Sequence, residues 1–589
     1  MDAQASERPT AATRGLRTAI RDSELALIGL AVLIGLGGGA VVSAIGWLAQ
    51  AAHETFFGIA PGARLSGVPA LPTRWVLALP ALGGVLLGAS FLLVGIRKRA
   101  PVDPIEANAL HGGHLSLRDS VLVVVQNLIS NGFGASVGLE AGYTQIAGAL
   151  ASRLGIGFDL RRNDLRLLVG CGAAAAIAAA FDAPMTGAFY AFELIVGTYS
   201  IASLAPIMAA ALCATAVSHL AGNHAGFIDL ARTDLRIGAA DYPLAVLLGV
   251  ACAGFGIAIM QSVAAVEGLA RRWHLPIWLR PSLGGLMVGA LALVSPQVLA
   301  SGHGALHLDL EISPTVATLA VLILFKSIAS IFSLGSGFRG GLFFASLLLG
   351  ALFGNLFANI VALVGLPAAP IVYAVVGMSA LAVTVIGGPL TMTFLALEVS
   401  GDFPVMALVL VAVLAASVTA RKSFGYTFAT WRFHLRGESI RSAHDVGWIR
   451  SLSVGQLMRR DIVTVPDTTT IEALRRDYPL GSTQRIVAVD AAGRYAGIVL
   501  VPEAHADEFD AAAGATSIAT LLRFAQEFLI PGMNAKEAAE IFDRTKSEAL
   551  AVVDGVESRR VAGLLTESHT LRRYSEELDR KRGELAGES

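Results

Sequence analysis

Apolar segments follow one another through residues 25–420, and this pattern is the strongest constraint on how the chain can fold. Several of them, such as 202–221 and 242–268, reach the roughly 20 residues that a helix needs to cross a bilayer. Charged residues crowd into residues 1–24 and into the stretch after residue 440. Because only 15% of the chain is charged and its mean hydropathy is +0.64, a single soluble body is excluded. The sequence predicts a multi-span membrane protein with a soluble C-terminal part.

Some apolar segments are short and interrupted by glycine or proline, notably near 134–151 and 335–352. Irregular backbone at membrane depth is tolerated only where it is buried in protein or lines a cavity. Interrupted segments at corresponding places in two halves of a transporter indicate an inverted repeat and a binding site between them. We therefore expect the site where these two segments meet.

The first interrupted segment carries one carboxylate, Glu140, among glycines at the start of an apolar helix. A charge at that depth costs about 3 kcal/mol or more, so an intramembrane acid indicates a functional site. The helix that follows would direct its N-terminal N–H groups at whatever lies beside this acid. The pattern predicts an anion site at which the Glu140 carboxylate competes with the anion.

Other classes of site are disfavoured by composition. The net charge of −1 argues against nucleic-acid binding. Cys171, Cys213 and Cys252 lie in apolar runs with no paired spacing, so neither a disulfide nor a metal site is indicated. We expect buried, inert thiols.

From about residue 451 the composition becomes that of a soluble α/β unit, and a helix–strand pattern occurs twice. The predicted organisation is an N-terminal tail (1–23), a membrane domain (24–420), a linker (421–450), the repeated α/β unit (451–575) and a charged tail (576–589). Arg14, Arg17 and Arg21 precede the first span, and the linker is basic, so both termini are expected in the cytoplasm of a cell-membrane protein.

Four stretches resemble the CLC family of chloride channels and anion/proton exchangers. They are APVDPIEANALHGG (100–113), GASVGLEAG (134–142), FDAPMTGAFYAFEL (181–194) and the Lys-led stretch FKSIASIFSLGSGFRGGLFFASLLLGALFG (325–354). The resemblance implies an all-α membrane fold with an inverted repeat and short re-entrant helices. It also implies a homodimer that moves chloride or another small anion, with one pathway per subunit and no enzymatic activity.

The repeated C-terminal unit resembles a tandem CBS (Bateman) module, an α/β pair that in many proteins binds adenine nucleotides. An Asp after the last strand of such a copy holds the ribose. Glu503 and His569 stand at those positions here. This departure leaves two interpretations open, an adenine nucleotide at the pair and a purely structural or dimerising role. No other cofactor is expected.

The resemblance makes Glu140 the gate of the pathway, whose side chain occupies the anion site when it is deprotonated. Leu139 stands where the family usually has a basic residue. Arg339 is unusual at its position, and we expect it either to line a vestibule or to extend to the aqueous edge of the membrane. Backbone N–H groups are expected to bind the anion; they belong to Gly138, Leu139, Glu140, Ala141, Leu342 and Phe343.

Pro101 falls where the family usually has a Ser whose hydroxyl binds the central anion, and Val102 continues the match. A proline there resembles the nitrate-preferring members, so nitrate and bicarbonate stay open beside chloride. Tyr426 is our choice for the aromatic residue that closes the inner side of the pathway. The alternatives are Phe424, Phe428 and Ala429.

Leu194 occupies the position of the inner proton-transferring acid of the family's exchangers. Because leucine cannot relay a proton, passive conduction or uniport is the preferred mechanism, and exchange through a non-standard inner route is the alternative. Glu193 is interpreted as a structural buried acid and Asp182 as a helix N-cap. A different class of function, a membrane-anchored nucleotide sensor, is opposed by Glu140 and the GGLFF segment.

Overall fold

The computed structural model describes residues 23–71, 74–94, 101–222, 237–311, 314–366, 368–435, 453–506, 509, 514, 516–570 and 572–573. The predicted tails around Arg14, Arg17 and Arg21 and at 576–589 lie outside the described residues, and so do linker residues 436–450. The chain divides into two compact units, Met1–Asp445 and Val446–Ser589.

The regular elements in the described part of the first unit are helices. Its first eight helices are α1 (Glu24–Phe57), α2 (Ala78–Val94), α3 (Pro104–Leu110), α4 (Leu117–Gly132), α5 (Glu140–Gly157), α6 (Arg162–Phe181), α7 (Pro184–Tyr190, continued by a π-helical turn, Ala191–Val196) and α8 (Ile201–Leu220). The remaining helices are α9 (Asp241–Arg272), α10 (Arg280–Ala292), α11 (His303–Glu311), α12 (Val316–Gly335), α13 (Phe343–Leu363), α14 (Pro370–Ile386), α15 (Pro389–Ser400), α16 (Phe403–Ser423) and α17 (Phe428–Leu435).

Seven helical stretches of the described chain are long and apolar enough to cross a membrane. Their packing depends on small residues, because lipid and leucine are equally apolar and helices associate best where backbones approach closely. Gly35 and Gly39 of α1 lie directly against the backbone of Ala210 and Ala214 of α8. A Cβ at either glycine would overlap that backbone, so the two helices could not pack at this distance.

The inverted repeat expected from the interrupted segments places α5 in one half and α13 in the other. Reciprocal contacts also relate α7 to α15. Glu193 lies at the end of the α7 segment, and its carboxylate accepts hydrogen bonds from Leu390 N, Thr391 N and Thr391 Oγ1 at the start of α15. Reciprocally, Glu398 near the end of α15 accepts from Met185 N, Thr186 N and Thr186 Oγ1 at the start of α7. Each acid therefore caps the helix N-terminus of the other half.

The structural interpretation of Glu193 fits these contacts, whereas that of Asp182 is wrong. Asp182 is the C-cap of α6, in the left-handed conformation at φ 54°, and its side chain pairs with His219. The N-cap of α7 is Ala183, which offers no side-chain acceptor. Of the cysteines, Cys171 and Cys252 are buried and Cys213 is partly buried, and all three are free thiols.

The second unit is a small α/β unit with two similar halves. The first half contains α18 (Val454–Leu457), β1 (Thr464–Pro466), α19 (Ile471–Asp477), β2 (Arg485–Val489), β3 (Tyr495–Leu500) and α20 (Val501–Ala504). The second contains α21 (Ala535–Thr545), β4 (Ala549–Val553) and β5 (Val561–Thr566). β1 pairs parallel with β2, which pairs antiparallel with β3, and β4 pairs antiparallel with β5. Leu529 forms a parallel β-bridge with Val552 of β4, just as β1 pairs parallel with β2. The two halves therefore have similar sheets.

Candidate anion site

The segments that lead into α5 and α13 pair with each other. Gly138 N–H donates to the Gly341 carbonyl at 3.0 Å, and Gly341 N–H donates to the Gly138 carbonyl at 3.3 Å. Asn127 of α4 fixes this junction, because its Nδ2 donates to the carbonyls of Gly138 and Arg339 at 3.1 Å. Its Oδ1 accepts from Gly142 N at 3.0 Å. The two halves of the repeat are thus joined at the start of both helices.

Neither α5 nor α13 has a side-chain N-cap. The first N–H groups of a helix have no acceptor within the helix, and the helix dipole favours negative charge beside them. Two uncapped N-termini that begin side by side therefore offer neutral donors of the kind that bind anions in proteins.

The Glu140 carboxylate occupies this region. Its side chain is buried, with 4% exposure, and the N–H groups of Phe344 and of Glu140 itself face the carboxylate. Oε2 makes no hydrogen bond to any residue in the described part of the chain. Because the carboxylate folds back over Gly138, a Cβ at that glycine would overlap it. The carboxylate therefore lies at the helix ends, where an anion would bind, and one of its two oxygens is not held by a hydrogen bond.

Two cavities with largely different linings reach Glu140. The first, here called the Pro101 cavity, has a volume of 490 Å³, and Pro101, Thr144 and Phe428 are among its lining residues. The second, the His303 cavity, has a volume of 850 Å³, and Arg64, Tyr143 and His303 are among its lining residues. Glu140 lines both of them. Its side chain therefore contributes to the walls of both cavities.

The structure brings most of the predicted site residues together. Pro101, Ala141, Leu194, Leu342 and Phe343 line the Pro101 cavity, and Leu139 lines the His303 cavity. Arg339 also lines the Pro101 cavity, with its guanidinium 5.7 Å from the Phe91 ring centroid, which favours the vestibule interpretation over extension to the membrane edge.

Three predicted anion-binding residues do not fit. The Gly138 N–H is already bonded to Gly341, so it is not available to an anion. Val102 is not among the residues that line either cavity, and its carbonyl accepts from Gln145 Nε2 at 2.9 Å. Tyr426 is also absent from these linings. Its ring stacks on His434 at 4.6 Å, with its hydroxyl 3.2 Å from Nδ1 of that histidine.

Phe428 and Ala429, two of the alternatives considered for the inner aromatic position, line the Pro101 cavity instead of Tyr426. The cause is the start of α17: Thr427 Oγ1 accepts from Thr430 N at 3.4 Å, which caps the helix and turns Phe428 inward. A Thr–x–x–Thr pattern before an aromatic run is an N-cap signal, and it could have identified this position from the sequence.

Three polar groups of the Pro101 cavity were not predicted from the sequence. Asp103 caps α3, with Oδ1 accepting from Glu106 N at 2.9 Å. Thr144 Oγ1 donates to the Glu140 carbonyl at 3.0 Å, and the Tyr190 hydroxyl approaches the Thr144 side chain. Tyr190 lies in the FDAPMTGAFYAFEL stretch, but nothing in one sequence indicates that its hydroxyl points toward Glu140.

The predicted nucleotide positions of the second unit are already engaged with nearby protein groups. Glu503 forms an ion pair with Arg523 at 2.5 Å. His569 Nδ1 lies 3.3 Å from Arg572. No group of three or more potential metal-ligating side chains occurs among the described residues.

Comparison with known proteins identifies two matching family models and several similar sequences. The family model described as "Voltage gated chloride channel" matches residues 86–421, and that of the CBS domain matches residues 454–501. A ClcB-like chloride channel protein of Ralstonia nicotianae is 32% identical over 359 residues, which is 60% of this chain and 83% of that protein. The voltage-gated ClC-type chloride channel ClcB of Escherichia coli O81 (strain ED1a) is 30% identical, over 59% of this chain and 84% of that protein.

Solved structures agree on the fold. A slow cyanobacterial Cl⁻/H⁺ antiporter matches with a TM-score of 0.60 at 22% identity, covering 70% of this chain and 97% of its own. A CLC-type fluoride/proton antiporter matches with a TM-score of 0.56 at 21% identity, over 68% and 96%. A eukaryotic CLC transporter matches with a TM-score of 0.59 at 17% identity, over 95% and 99%. With the family model covering more than half of its length, this chain belongs to the CLC family of anion transport proteins and carries a C-terminal CBS module.

Proposed function

We propose that this protein moves a monovalent anion across the cell membrane through the two cavities, with Glu140 as the gate. The observation that carries the proposal is the position of the Glu140 carboxylate, between both cavities and before two uncapped helix N-termini. A carboxylate there has the charge of the permeant ion and blocks its site. Protonation removes the charge and allows the side chain to leave, so flux rises as pH falls.

The preferred mechanism is passive. Leu194 lines the Pro101 cavity and has no proton to exchange, so an anion gradient is not expected to drive protons uphill. Two of the structurally similar proteins are a Cl⁻/H⁺ antiporter and a fluoride/proton antiporter, which keeps exchange as the second candidate.

One observation favours the exchange candidate. Asp103, Tyr190, Thr144 and Glu140 all line the Pro101 cavity, and the Tyr190 hydroxyl approaches Thr144. Such a row of hydroxyls between two carboxylates is a path along which a proton can pass. In this mechanism Asp103 replaces the acid that Leu194 lacks.

One experiment on proteoliposomes tests gate and mechanism together. Anion flux and internal pH are followed under an anion gradient for the wild type and for Glu140→Gln. We expect pH-dependent flux without uphill proton movement in the wild type, and flux with little pH dependence in Glu140→Gln. An unchanged pH profile in the variant would contradict the gate. Uphill proton movement that Asp103→Asn abolishes would replace the passive mechanism with exchange.

The permeant ion is proposed by chemistry alone. Pro101 offers neither a hydroxyl nor an N–H group to the Pro101 cavity, so this position supplies no donor that would select chloride over another monovalent anion. We propose chloride as the substrate, with nitrate and bicarbonate as alternatives. Competition among chloride, nitrate, bicarbonate and fluoride on the same liposomes distinguishes them.

The assembly follows the resemblance to the family. We propose a homodimer with one pathway in each subunit and both termini in the cytoplasm. Large apolar side chains exposed on α8 and α16, among them Ile201 and Phe403, are available to lipid or to the second subunit. Chemical cross-linking in membranes and protease accessibility of tagged termini test these statements.

A further inference from the structure

The His303 cavity contains a cation that the proposed gate does not use. Arg64 is the one Lys or Arg among the residues that line this cavity, and it forms no ion pair with any residue in the described part of the chain. We propose that Arg64 recruits the permeant anion to the His303 cavity and thereby sets the anion concentration at which flux saturates. This inference rests on the proposed pathway through Glu140.

The loop that carries Arg64 is held in place from α1. Gln50 Nε2 donates to the Ala63 carbonyl at 2.8 Å, and Gly62 N donates to Glu54 Oε1 at 2.9 Å. Gln50 Nε2 also donates to Glu54 Oε1 at 2.9 Å. Glu54, the acid nearest to Arg64 along the chain, is therefore occupied by this loop and leaves the guanidinium unpaired.

The same loop is held from the opposite side by α11. Ser66 Oγ accepts from Gly304 N at 3.1 Å and from Ala305 N at 3.2 Å. Gly304 lets the loop approach, because a Cβ there would lie 2.7 Å from the Cβ of Arg64. Since the loop is bonded to helices on both sides of Arg64, its backbone is already ordered, which reduces the ordering cost when the anion arrives.

The remaining charged and titratable groups of the cavity do not cancel Arg64. Asp182 pairs with His219, and His53 Nε2 lies 2.9 Å from the Asn131 carbonyl. His303 Nδ1 lies 2.5 Å from Ser301 Oγ, and its ring stacks on Phe344, whose N–H faces the Glu140 carboxylate. The anion attracted by Arg64 is therefore delivered to the helix N-terminus where Glu140 competes with it.

The expected effect is on capture rather than on passage. A charge in a low-dielectric cleft raises the local concentration of counter-ions, with rate effects of about 10- to 1000-fold for whole charged clefts and correspondingly less for one residue. Salt screens the effect, because the Debye length falls from about 30 Å at 0.01 M to about 3 Å at 1 M ionic strength.

The test compares Arg64→Gln, Arg64→Lys and the wild type in proteoliposomes, with chloride as the permeant ion and gluconate salt to set ionic strength. At low ionic strength we expect the half-saturating chloride concentration to rise about three- to tenfold in Arg64→Gln, with maximal flux retained. Arg64→Lys keeps the charge and stays near the wild type. At high ionic strength the half-saturating chloride concentrations of the three proteins become similar.

Arg153→Gln is the matched control, because Arg153 is an exposed arginine of α5 that lines neither cavity. It should leave the half-saturating concentration unchanged. Equal half-saturating concentrations for Arg64→Gln and the wild type at low ionic strength would overturn the proposal, as would a loss in Arg64→Lys equal to that in Arg64→Gln. If Glu140→Gln still abolishes the pH dependence in that case, the pathway stands and only the role of Arg64 fails.

Discussion

At the scale of single residues, three buried or half-buried carboxylates of the membrane unit differ in what satisfies them. Glu193 and Glu398 each accept three hydrogen bonds from a helix N-terminus. Glu140 lies at a similar helix end, yet its Oε2 makes no hydrogen bond within the described chain. The first two acids are anchors, whereas Glu140 is held by fewer hydrogen bonds, because one of its two carboxylate oxygens has no partner within the described chain. This contrast supports a movable gate.

Gly138 offers a way to displace the gate without removing its charge. In Gly138→Ala the added Cβ overlaps the present position of the Glu140 carboxylate, so the side chain must move away from the helix ends. We expect flux near neutral pH to rise toward its acidic value. Between acidic and neutral pH, where buried carboxyls titrate, the change in anion flux should be less than about half of that of the wild type. Anion flux from proteoliposomes at several pH values measures it.

Gly157→Ala is the control for that substitution, because Gly157 also lies in α5 and a Cβ there meets nothing within 4 Å. It should reproduce the wild-type pH profile. If Gly138→Ala elutes from gel filtration as the wild type does, and its anion flux keeps the full pH dependence, the proposed position of the closed gate is wrong.

The residue-scale predictions depended on how far local chemistry constrains each position. Glu140 could be singled out because a lone acid among glycines in an apolar segment is costly and therefore indicates a function. Tyr426 was misplaced because the aromatic run around it permits several helix starts, and the Thr427 cap decides between them. The N–H of Gly138 was misassigned since its acceptor, Gly341, is remote in sequence and emerges only when the halves meet.

At the scale of helices, the reciprocal capping of α7 and α15 shows how the two halves of the repeat are joined. Both helices begin with Pro–x–Thr, at Pro184 and Pro389, and each contains the acid that caps the other. The repeat was predicted from glycine-interrupted segments alone. This second signature was visible in the sequence but was not used, because single matches of three residues carry little weight without the contacts that explain them.

The reciprocal caps predict a stability effect. Glu398→Ala leaves two N–H groups and one hydroxyl at the start of α7 without their acceptor. An unsatisfied buried donor costs about 1–3 kcal/mol, so we expect the variant to lose about 2–4 kcal/mol, allowing for partial rearrangement. Thermal unfolding in detergent, followed by the loss of the native gel-filtration peak, measures the difference.

Glu267→Ala provides the comparison for Glu398→Ala. Glu267 pairs with Arg271 one turn away on α9, and both side chains are largely exposed, at 43% and 58%. Exposed pairs of this kind contribute about 0–1 kcal/mol, so this variant should unfold close to the wild type. Equal unfolding of Glu398→Ala and Glu267→Ala would mean that the caps do not hold the halves together.

At the scale of the whole molecule, the fold was predictable because the bilayer restricts backbone to helices, and interrupted segments must then surround a cavity. The soluble unit was predictable for a different reason, since its helix–strand order occurs twice. What sequence could not supply is which groups of a cavity face one another. Arg64, Asp103 and Tyr190 come from separate helices and loops, and only the packed structure brings each of them toward Glu140.

The CBS pair gives the last prediction, which concerns whether the second unit senses nucleotide. Glu503 stands where a ribose-binding acid would be free, but it is already paired with Arg523. We therefore expect millimolar ATP or AMP to leave the thermal unfolding of the full-length protein and its anion flux unchanged. A ligand present at 100 times its Kd would stabilise its unit by about 2.7 kcal/mol, so binding would be visible as a shift in unfolding temperature.

Arg523→Gln is the informative variant, because it releases Glu503 without removing it. Stabilisation of the wild type by nucleotide would contradict a structural role for the pair, whereas stabilisation of Arg523→Gln alone would show that the ion pair is what closes the site.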